Sequence, residues 1–163
     1  MSVHRFSVES YVLIKSKFVP LSQCDRKLPD GNYIEGMIEL EVDDLKILSE
    51  EHWDLVDQLW GYLVDGVSGI LFENQNLECY FPDQPLRLSL KSFSRNQLEV
   101  TIGSDVHRVD KTCFIAAIAY GGKLFFNKML QIVPAGRATW ITDIDTCNKL
   151  IVAIELAASG GTP

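Results

Sequence analysis

The chain carries two different hydrophobic repeats, and their alternation limits its fold more than any other feature. Residues 33–42 (YIEGMIELEV) are apolar at every second position, which predicts a half-buried β-strand with an acidic outer face. Residues 49–65 are apolar at spacings of three and four, which predicts an amphipathic helix. Ser49 is the expected N-cap of this helix and Gly66 its expected C-cap.

The same repeats return in the second half of the chain. Residues 77–81 and 86–103 predict a short strand followed by a β-hairpin, with the turn residues SRNQ between the two strands of the hairpin. Residues 111–132 predict a second amphipathic helix that Asp110 would cap, although the glycine pair at 121–122 could kink or break it.

The two ends of the chain carry weaker patterns. The stretch TWIT (139–142) predicts a strand, residues 143–158 fit either a helix or a further strand, and residues 159–163 are expected to fray. Residues 1–30 form an N-terminal segment to which no element is assigned. Because strands and helices are mixed without a regular strand–helix–strand alternation, we predict a single α+β domain over residues 1–163, with an antiparallel sheet and two main amphipathic helices.

The length of the chain allows a core that needs no disulfide or metal. A chain of 163 residues can bury roughly 70% of the surface that its unfolded form exposes. The longest uncharged apolar run, CFIAAIAYGG, is about half the ~18 residues expected of a membrane-spanning helix. The N-terminus MSVHRFSVES has no apolar core of the signal-peptide kind. We therefore expect a cytoplasmic protein without membrane contact.

The cysteine pattern predicts free thiols. The four cysteines are widely and irregularly spaced at Cys24, Cys79, Cys113 and Cys147. No C-x-x-C pair occurs, and no histidine lies at zinc-ligand spacing from any of them. Buried free thiols are the favoured interpretation, and disulfides in a secreted protein are the alternative.

No motif in the chain selects a reaction. YGGK (120–123) lacks the glycine spacing and the Ser or Thr of a phosphate loop. Cys113 could pair with His107 or His52, but it is flanked by apolar residues on a helix predicted to be buried. The two carboxylates in DID (143–145) are more typical of a solvated turn than of a metal site. We predict no catalytic residue, no cofactor and no metal, while general acid–base work by carboxylates stays possible.

The net charge of −7 is unevenly distributed. Residues 30–66 hold eleven acids and one base, whereas residues 87–137 hold eight bases and three acids. A concentrated negative field repels nucleic acid and anionic membranes and attracts basic proteins. The basic region is interpreted as a solvated face that pairs with acids of the same chain. We therefore expect a basic protein as partner, with no binding to nucleic acid or membranes.

The acidic region has two competing interpretations. Negative side chains can simply keep an edge strand and an amphipathic helix soluble and monomeric. They can also form a docking face that steers a basic partner, with an exposed aromatic residue such as Tyr33 or Tyr62 as anchor. The predicted partner-binding residues are Glu35, Glu39, Glu41, Asp54, Asp57 and Tyr62.

Four blocks of the chain resemble small bacterial proteins of about this length, in particular the immunity proteins of contact-dependent inhibition and other polymorphic toxin systems. The blocks are YIEGMIELEV, DQLWGYLVDG, FPDQPLRLSL and DKTCFIAAIAYGGKLFF, and they lie within residues 33–126. The resemblance implies a compact cytoplasmic protein without catalytic residues. Such a protein binds a cognate toxin domain, often a basic nuclease, and blocks its active site or substrate groove. The resemblance assigns no individual residue a role.

Two other functions stay open at this point. A small enzyme or ligand-binding domain would have a pocket lined by aromatic residues, for which the candidates are Trp53, Trp60, Tyr80 and Tyr120. A homo-oligomeric structural protein, or a homodimer, would associate through the apolar helix at 111–132.

Overall fold

The computed structural model describes residues 5–28, 31–133 and 137–160. Within these residues the chain forms two antiparallel sheets and three α-helices around one hydrophobic core, and the predicted α+β class is confirmed.

The first sheet is built by the N-terminal third of the chain. Its strands are β1 (Phe6–Ile14), β2 (Lys17–Pro20), β3 (Glu35–Val42), β4 (Leu45–Leu48) and the short β5 (Asp54–Leu55). Their order is β2-β1-β3-β4, and β5 pairs with the start of β3. The predicted strand at 33–42 is therefore confirmed as β3, while the N-terminal segment left without an element supplies β1 and β2.

Two tight turns connect the hairpins of the first sheet. Lys15 and Ser16 link β1 to β2, and Asp43 and Asp44 link β3 to β4, all four with positive φ angles of 50° or 65°. Two consecutive left-handed residues are typical of the hairpin turn that matches the natural twist of the strands. Asp tolerates this conformation better than most residues with a side chain, which favours the second turn.

The second sheet is a meander of four strands in chain order. These are β6 (Leu77–Tyr80), β7 (Arg87–Ser92), β8 (Gln97–Ile102) and β9 (Asp105–Asp110). The strand predicted at 77–81 and the hairpin predicted at 86–103 are confirmed as β6, β7 and β8. The strand β9 was not predicted.

The three helices are α1 (Val56–Ser68), α2 (Lys111–Ile132) and α3 (Ala138–Ala158). The bounds predicted for α2 are confirmed, and its Asp110 cap accepts a hydrogen bond from the Cys113 N–H at 2.7 Å.

The helix α2 lies at the centre of the molecule, where it contacts both sheets and both other helices. The glycine pair at 121–122 does not interrupt it. A Cβ at Gly121 would lie 2.7 Å from Trp60 and 2.7 Å from Val8. These glycines therefore permit close packing of α2 against β1 and α1 instead of kinking the helix.

The prediction for residues 49–65 was wrong at both ends of the helix. Ser49 caps only a single 3₁₀ turn, Glu50–His52, in which the Ser49 N–H donates to His52 Nδ1 at 3.1 Å. The α-helix begins at Val56, after β5 has paired with β3. Gly66 is not a C-cap but a buried contact point, because a Cβ there would lie 2.8 Å from Leu77. The helix runs through a π-helical turn, Gly69–Glu73, and ends at Asn74 in the left-handed conformation.

The C-terminal prediction of a strand at 139–142 was also wrong. These residues form the first turn of α3, where Trp140 is buried against the core. The ambiguity over residues 143–158 is resolved in favour of a helix. The expectation that residues 159–163 fray falls partly on residues 161–163, which lie outside the described residues.

Candidate functional site

The outward face of the first sheet collects carboxylates. Even-numbered residues of β1 and β3 point toward the helices: the Trp60 indole N–H of α1 donates to Ser10 Oγ at 3.0 Å, and Gly36 lies against Val56. Odd-numbered residues point away from the helices. The register places Glu9 of β1 directly opposite Glu39 of β3. The acidic face is defined here by four residues on this side: Glu9, Glu35, Glu39 and Glu41.

Sequence reasoning found three of these four residues and missed Glu9. The signal for Glu9 was present, because FSVESYVLI alternates between Val8, Ser10 and Val12 on one side and Glu9 and Tyr11 on the other. Glu9 was missed because no element was assigned to residues 1–30.

The carboxylates of the acidic face have no ion-pair partner among the described residues. Lys46 of β4 lies opposite Glu41 in the register, but it does not come within ion-pair distance. The basic region at 87–137 pairs elsewhere, for example Arg87 with Glu78. Glu41 is exposed and the other three carboxylates are partly exposed, so solvent reaches all four.

The centre of the acidic face is electrostatically unfavourable. Like charges directly opposite each other on neighbouring strands destabilise a sheet, and Glu9 and Glu39 occupy such positions. The Tyr11 hydroxyl donates to Glu39 Oε2 at 3.0 Å, and the Ser22 hydroxyl donates to Glu9 Oε1 at 3.3 Å. Burial raises the pKa of Tyr11, and the hydrogen bond to Glu39 adds to this shift. Neutral hydroxyls thus orient the two carboxylates without cancelling their charge.

A groove opens next to β5, the short strand that pairs with Glu35 at the start of β3. It has a volume of about 550 Å³ and is called the Trp53 groove here. Its walls come from the β1–β2 hairpin and from the turn before β5: Leu13, Ser16, Phe18, Glu50, Glu51 and Trp53. Trp53 is 41% exposed, whereas Trp60 and Trp140 are buried, so Trp53 is the accessible one of the three indoles in the described residues.

An exposed tyrosine extends the same negative region. Tyr33 is 53% exposed and lies two residues before the start of β3. The carboxylates of Asp83 and then Glu35 raise the pKa of its hydroxyl. Tyr33, the alternative anchor considered from the sequence, therefore lies in a negative environment next to the acidic face.

Asp54, predicted to bind a partner, is a buried structural residue. It is 1% exposed. Its carboxylate accepts hydrogen bonds from the backbone N–H groups of Leu55 at 2.6 Å, Asp83 at 2.9 Å and Gln84 at 2.9 Å. These bonds tie β5 to the segment that joins β6 to β7. The prediction that Asp54 faces a partner was wrong, because the backbone amides that satisfy this charge enclose it.

Asp57 and Tyr62 lie on the opposite side of the first sheet from the acidic face. Both belong to α1, which covers the inner face of that sheet. Asp57 is 6% exposed, and its Oδ2 lies 3.9 Å from Arg137 Nη1. Tyr62 is half-buried and packs against the core. A single surface made jointly by the strand and the helix, as predicted, is therefore not formed.

Asp57 belongs to a second acidic region, the α1–α3 seam, defined by Asp57, Asp65 and Asp143. Burial raises the pKa of Asp57, and Arg137 opposes that shift. Burial raises the pKa of Asp143 to about 6, and the carboxylates of Asp65 and Asp57 add to the shift. In contrast to the acidic face, this region is partly removed from solvent, because it lies where α1 packs against α3.

The candidate nucleophilic pairs of Cys113 with His52 or His107 are not supported by the described residues. The Cys113 thiol donates to the Arg5 carbonyl at 3.2 Å, and burial raises its pKa, so the reactive thiolate is disfavoured. His52 Nδ1 is occupied by the Ser49 N–H. The prediction of free cysteines is confirmed, with Cys79 half-buried and the other three buried. In the described ranges, no cluster of three or more His, Cys, Asp or Glu could hold a metal ion.

The aromatic residues considered for a ligand pocket do not converge on one. Trp60 is enclosed in the core, where it stacks on Phe125. Tyr80 projects from the outward face of the second sheet, and Tyr120 donates to Glu155 on α3. Trp53 lines an open groove together with the charged residues Glu50 and Glu51.

None of the helices in the described ranges is long and apolar enough to cross a membrane. No protein-family model, curated protein or solved structure matches this chain, so its candidate site rests on the geometry of the acidic face and the Trp53 groove.

Proposed function

We propose that this chain is a non-enzymatic binding protein that captures a basic protein on its acidic face. The observation that carries the proposal is the set of four outward carboxylates without an ion pair inside the described part of the chain. In its specific form, the proposal is an immunity protein that acts in the cytoplasm and neutralises a cognate toxin, most simply a basic nuclease.

The proposed mechanism is electrostatic mimicry of nucleic acid. The carboxylates of β1 and β3 would occupy the cationic surface that a nuclease uses for phosphates. A bound Lys or Arg between Glu9 and Glu39 would also relieve their mutual repulsion, which costs roughly 0.2–1 kcal/mol in a typical cross-strand pair. Steering by such a face raises association rate constants to about 10⁸–10⁹ M⁻¹s⁻¹ at low salt.

The proposal expects a gene for a large secreted toxin immediately beside the gene for this chain. The effector domain of that toxin is then mixed with this protein, and the association rate constant is measured by stopped-flow at low and high salt. Glu39→Lys combined with Glu41→Lys should slow association at least tenfold, on the order of the electrostatic enhancement itself, and flatten its salt dependence. Asp54 is unsuitable for charge reversal because it is buried in the fold.

The matched control is Glu73→Lys combined with Asp145→Lys, which reverses the same number of exposed charges away from the first sheet. It should leave the association rate constant within about twofold of wild type, since screening limits the reach of a distant surface charge. Equal rates and equal salt dependence for wild type and the Glu39/Glu41 variant would refute the proposal.

Self-association is a second candidate function, and a different surface favours it. The apolar face of α2 that was predicted to form an oligomer is covered by the core and is not available. A groove of about 660 Å³ beside α3 is lined by three exposed apolar side chains, Phe72, Val152 and Leu156. Light scattering tests this candidate: a dimer that dissociates in Val152→Glu would support it, and a wild-type monomer at high concentration would exclude it.

A further inference from the structure

The Trp53 groove combines three features that bear on what it could bind. An indole is exposed to solvent, apolar side chains of the β1–β2 hairpin form a second wall, and two adjacent carboxylates, Glu50 and Glu51, lie at the rim. Large apolar groups exposed in a concave site favour occupation by another molecule. The carboxylates determine which charge that molecule carries.

The charge balance of the groove favours a cation. Glu50 and Glu51 are exposed, and within the described residues neither forms an ion pair with the chain's own bases, including Lys15 at the neighbouring hairpin tip. Glu35 of the acidic face lies next to β5, which directly follows Trp53. Phosphate-bearing ligands are disfavoured here because three carboxylates would repel them.

An arginine side chain fits this combination better than other cations. Its planar guanidinium stacks on an indole face and donates two parallel hydrogen bonds to a carboxylate, and its aliphatic stem covers apolar walls. A lysine ammonium is a compact, strongly hydrated charge that uses the aromatic wall less well. The groove volume of about 550 Å³ also leaves room for the backbone on either side of the anchoring residue.

We infer that the Trp53 groove is the anchor pocket for an arginine on a surface loop of the basic partner, with the indole of Trp53 stacked on the guanidinium and Glu50 or Glu51 accepting its N–H groups. The inference rests on the proposed function and adds to it: the acidic face supplies steering, and the groove supplies selection of a side chain. Anchors that fill a pocket contribute most of the affinity of a protein interface, whereas exposed rim charges contribute mainly to rate.

The test uses the whole protein and short blocked peptides. The probe is acetyl-Gly-Gly-Arg-Gly-Gly-amide, compared with peptides that carry Lys or the neutral isostere citrulline in place of Arg. The chain has three tryptophans, and two are buried, so its three indole N–H signals in an NMR spectrum separate the groove from the core. The Arg peptide should shift only the Trp53 signal, with a dissociation constant of about 1–10 mM for one side chain.

Two variants and a control of equal charge sharpen the measurement. Glu50→Gln with Glu51→Gln should weaken binding of the Arg peptide about fivefold or more, because the charge-assisted hydrogen bonds are lost. Trp53→Leu should abolish binding of the Arg peptide. Because this variant has no Trp53 indole signal, its binding is followed by the backbone amide signals of Ser16 and Glu51. Glu73→Gln with Asp145→Asn removes the same charge from exposed sites outside the groove and should leave binding unchanged.

Three results would overturn the inference. The first is a Trp53 signal that does not move at saturating Arg peptide, and the second is a citrulline peptide that binds as tightly as the Arg peptide. The third is a Lys peptide that binds as tightly as the Arg peptide, which would overturn the assignment to arginine. The proposed function is tested independently of the groove, because the Glu39 and Glu41 variants that test it lie outside the groove. A partner protein that responds to those variants but leaves the Trp53 indole unmoved would refute only the groove.

Discussion

On the acidic face, carboxylates lie on two neighbouring strands with solvent on one side and no ion pair within the described ranges. Asp54, Asp57 and Asp143 are instead enclosed by backbone amides, by an arginine or by other carboxylates inside the fold. All of these groups are carboxylates, and all but Glu9 and Asp143 come from the acidic stretch at residues 30–66. We expect the enclosed carboxylates to affect folding more strongly than the outward ones, and only the outward ones to meet a partner without opening the structure. Three substitutions test whether this division is real.

The largest effect on stability is expected at Asp54, the most deeply buried of these carboxylates. Asp54→Asn replaces an acceptor of three backbone N–H groups with an amide that presents its own NH₂ to them. Since an unsatisfied buried donor costs about 1–3 kcal/mol, we expect the free energy of unfolding to fall by about 2–3 kcal/mol in urea denaturation. Glu41→Gln is the matched control and should change it by less than about 0.5 kcal/mol. Similar values for the two variants would remove the distinction between the two groups.

A smaller effect of opposite sign is expected in the α1–α3 seam. The folded-state pKa of Asp143, about 6, lies above its ordinary value of 3.8, so the fold favours the protonated form. The wild type therefore gains stability as the pH falls through 6 and loses it as the pH rises. Asp143→Asn mimics the protonated form. It should stabilise the protein by about 1 kcal/mol at pH 7.5, a value reduced by solvent screening of the half-exposed carboxylate, and by nothing below about pH 4.

Thermal unfolding between pH 4 and 8 measures this difference. Asp145→Asn, an exposed carboxylate two residues along α3, is the control and should be neutral across the range. An Asp143→Asn variant as stable as wild type at every pH would show that the seam imposes no electrostatic cost.

The smallest effect is expected on the acidic face itself. Glu39→Gln removes the repulsion with Glu9 but keeps an oxygen that can accept from the Tyr11 hydroxyl. We expect a gain of a few tenths of a kcal/mol at low ionic strength that disappears at about 0.5 M salt. Glu78→Gln, which loses the partner of Arg87 on the second sheet, should show no such gain. A loss of stability in Glu39→Gln would mean that the carboxylate is held by an interaction inside the fold.

Much of the fold was predictable because it depends on local pattern. The strand β3, the β7–β8 hairpin and α2 with its Asp110 cap each carry a clear repeat and a clear end signal. Ser49 carried an equally clear capping signal, yet it caps only a 3₁₀ turn. The pairing of β5 with β3 and the amides bound by Asp54 outweigh the propensity of residues 49–55 for a longer helix.

The candidate site was predictable only in part, for a related reason. The period of two in β3 identified Glu35, Glu39 and Glu41 as outward, since successive strand residues alternate between faces. The pairing of Glu9 with Glu39 and the groove around Trp53 depend on which strands pair and which segments meet, and these contacts join residues about 30 to 40 positions apart in the chain. The helical repeat could not reveal that the Asp57 side of α1 would be covered by α3.

From the sequence alone, the spacing of apolar residues determined the α+β class, the acidity of the β3 outer face and the position of the central helix. Local periodicity is sufficient for these because burying one face of each element dominates their free energy. Only the tertiary structure decided which carboxylates stay exposed. The environment of a charge depends on the elements that pack over it. The segment between β6 and β7 encloses Asp54, and the start of α3 lies over Asp57, while the acidic face has no helix of the described ranges packed on it.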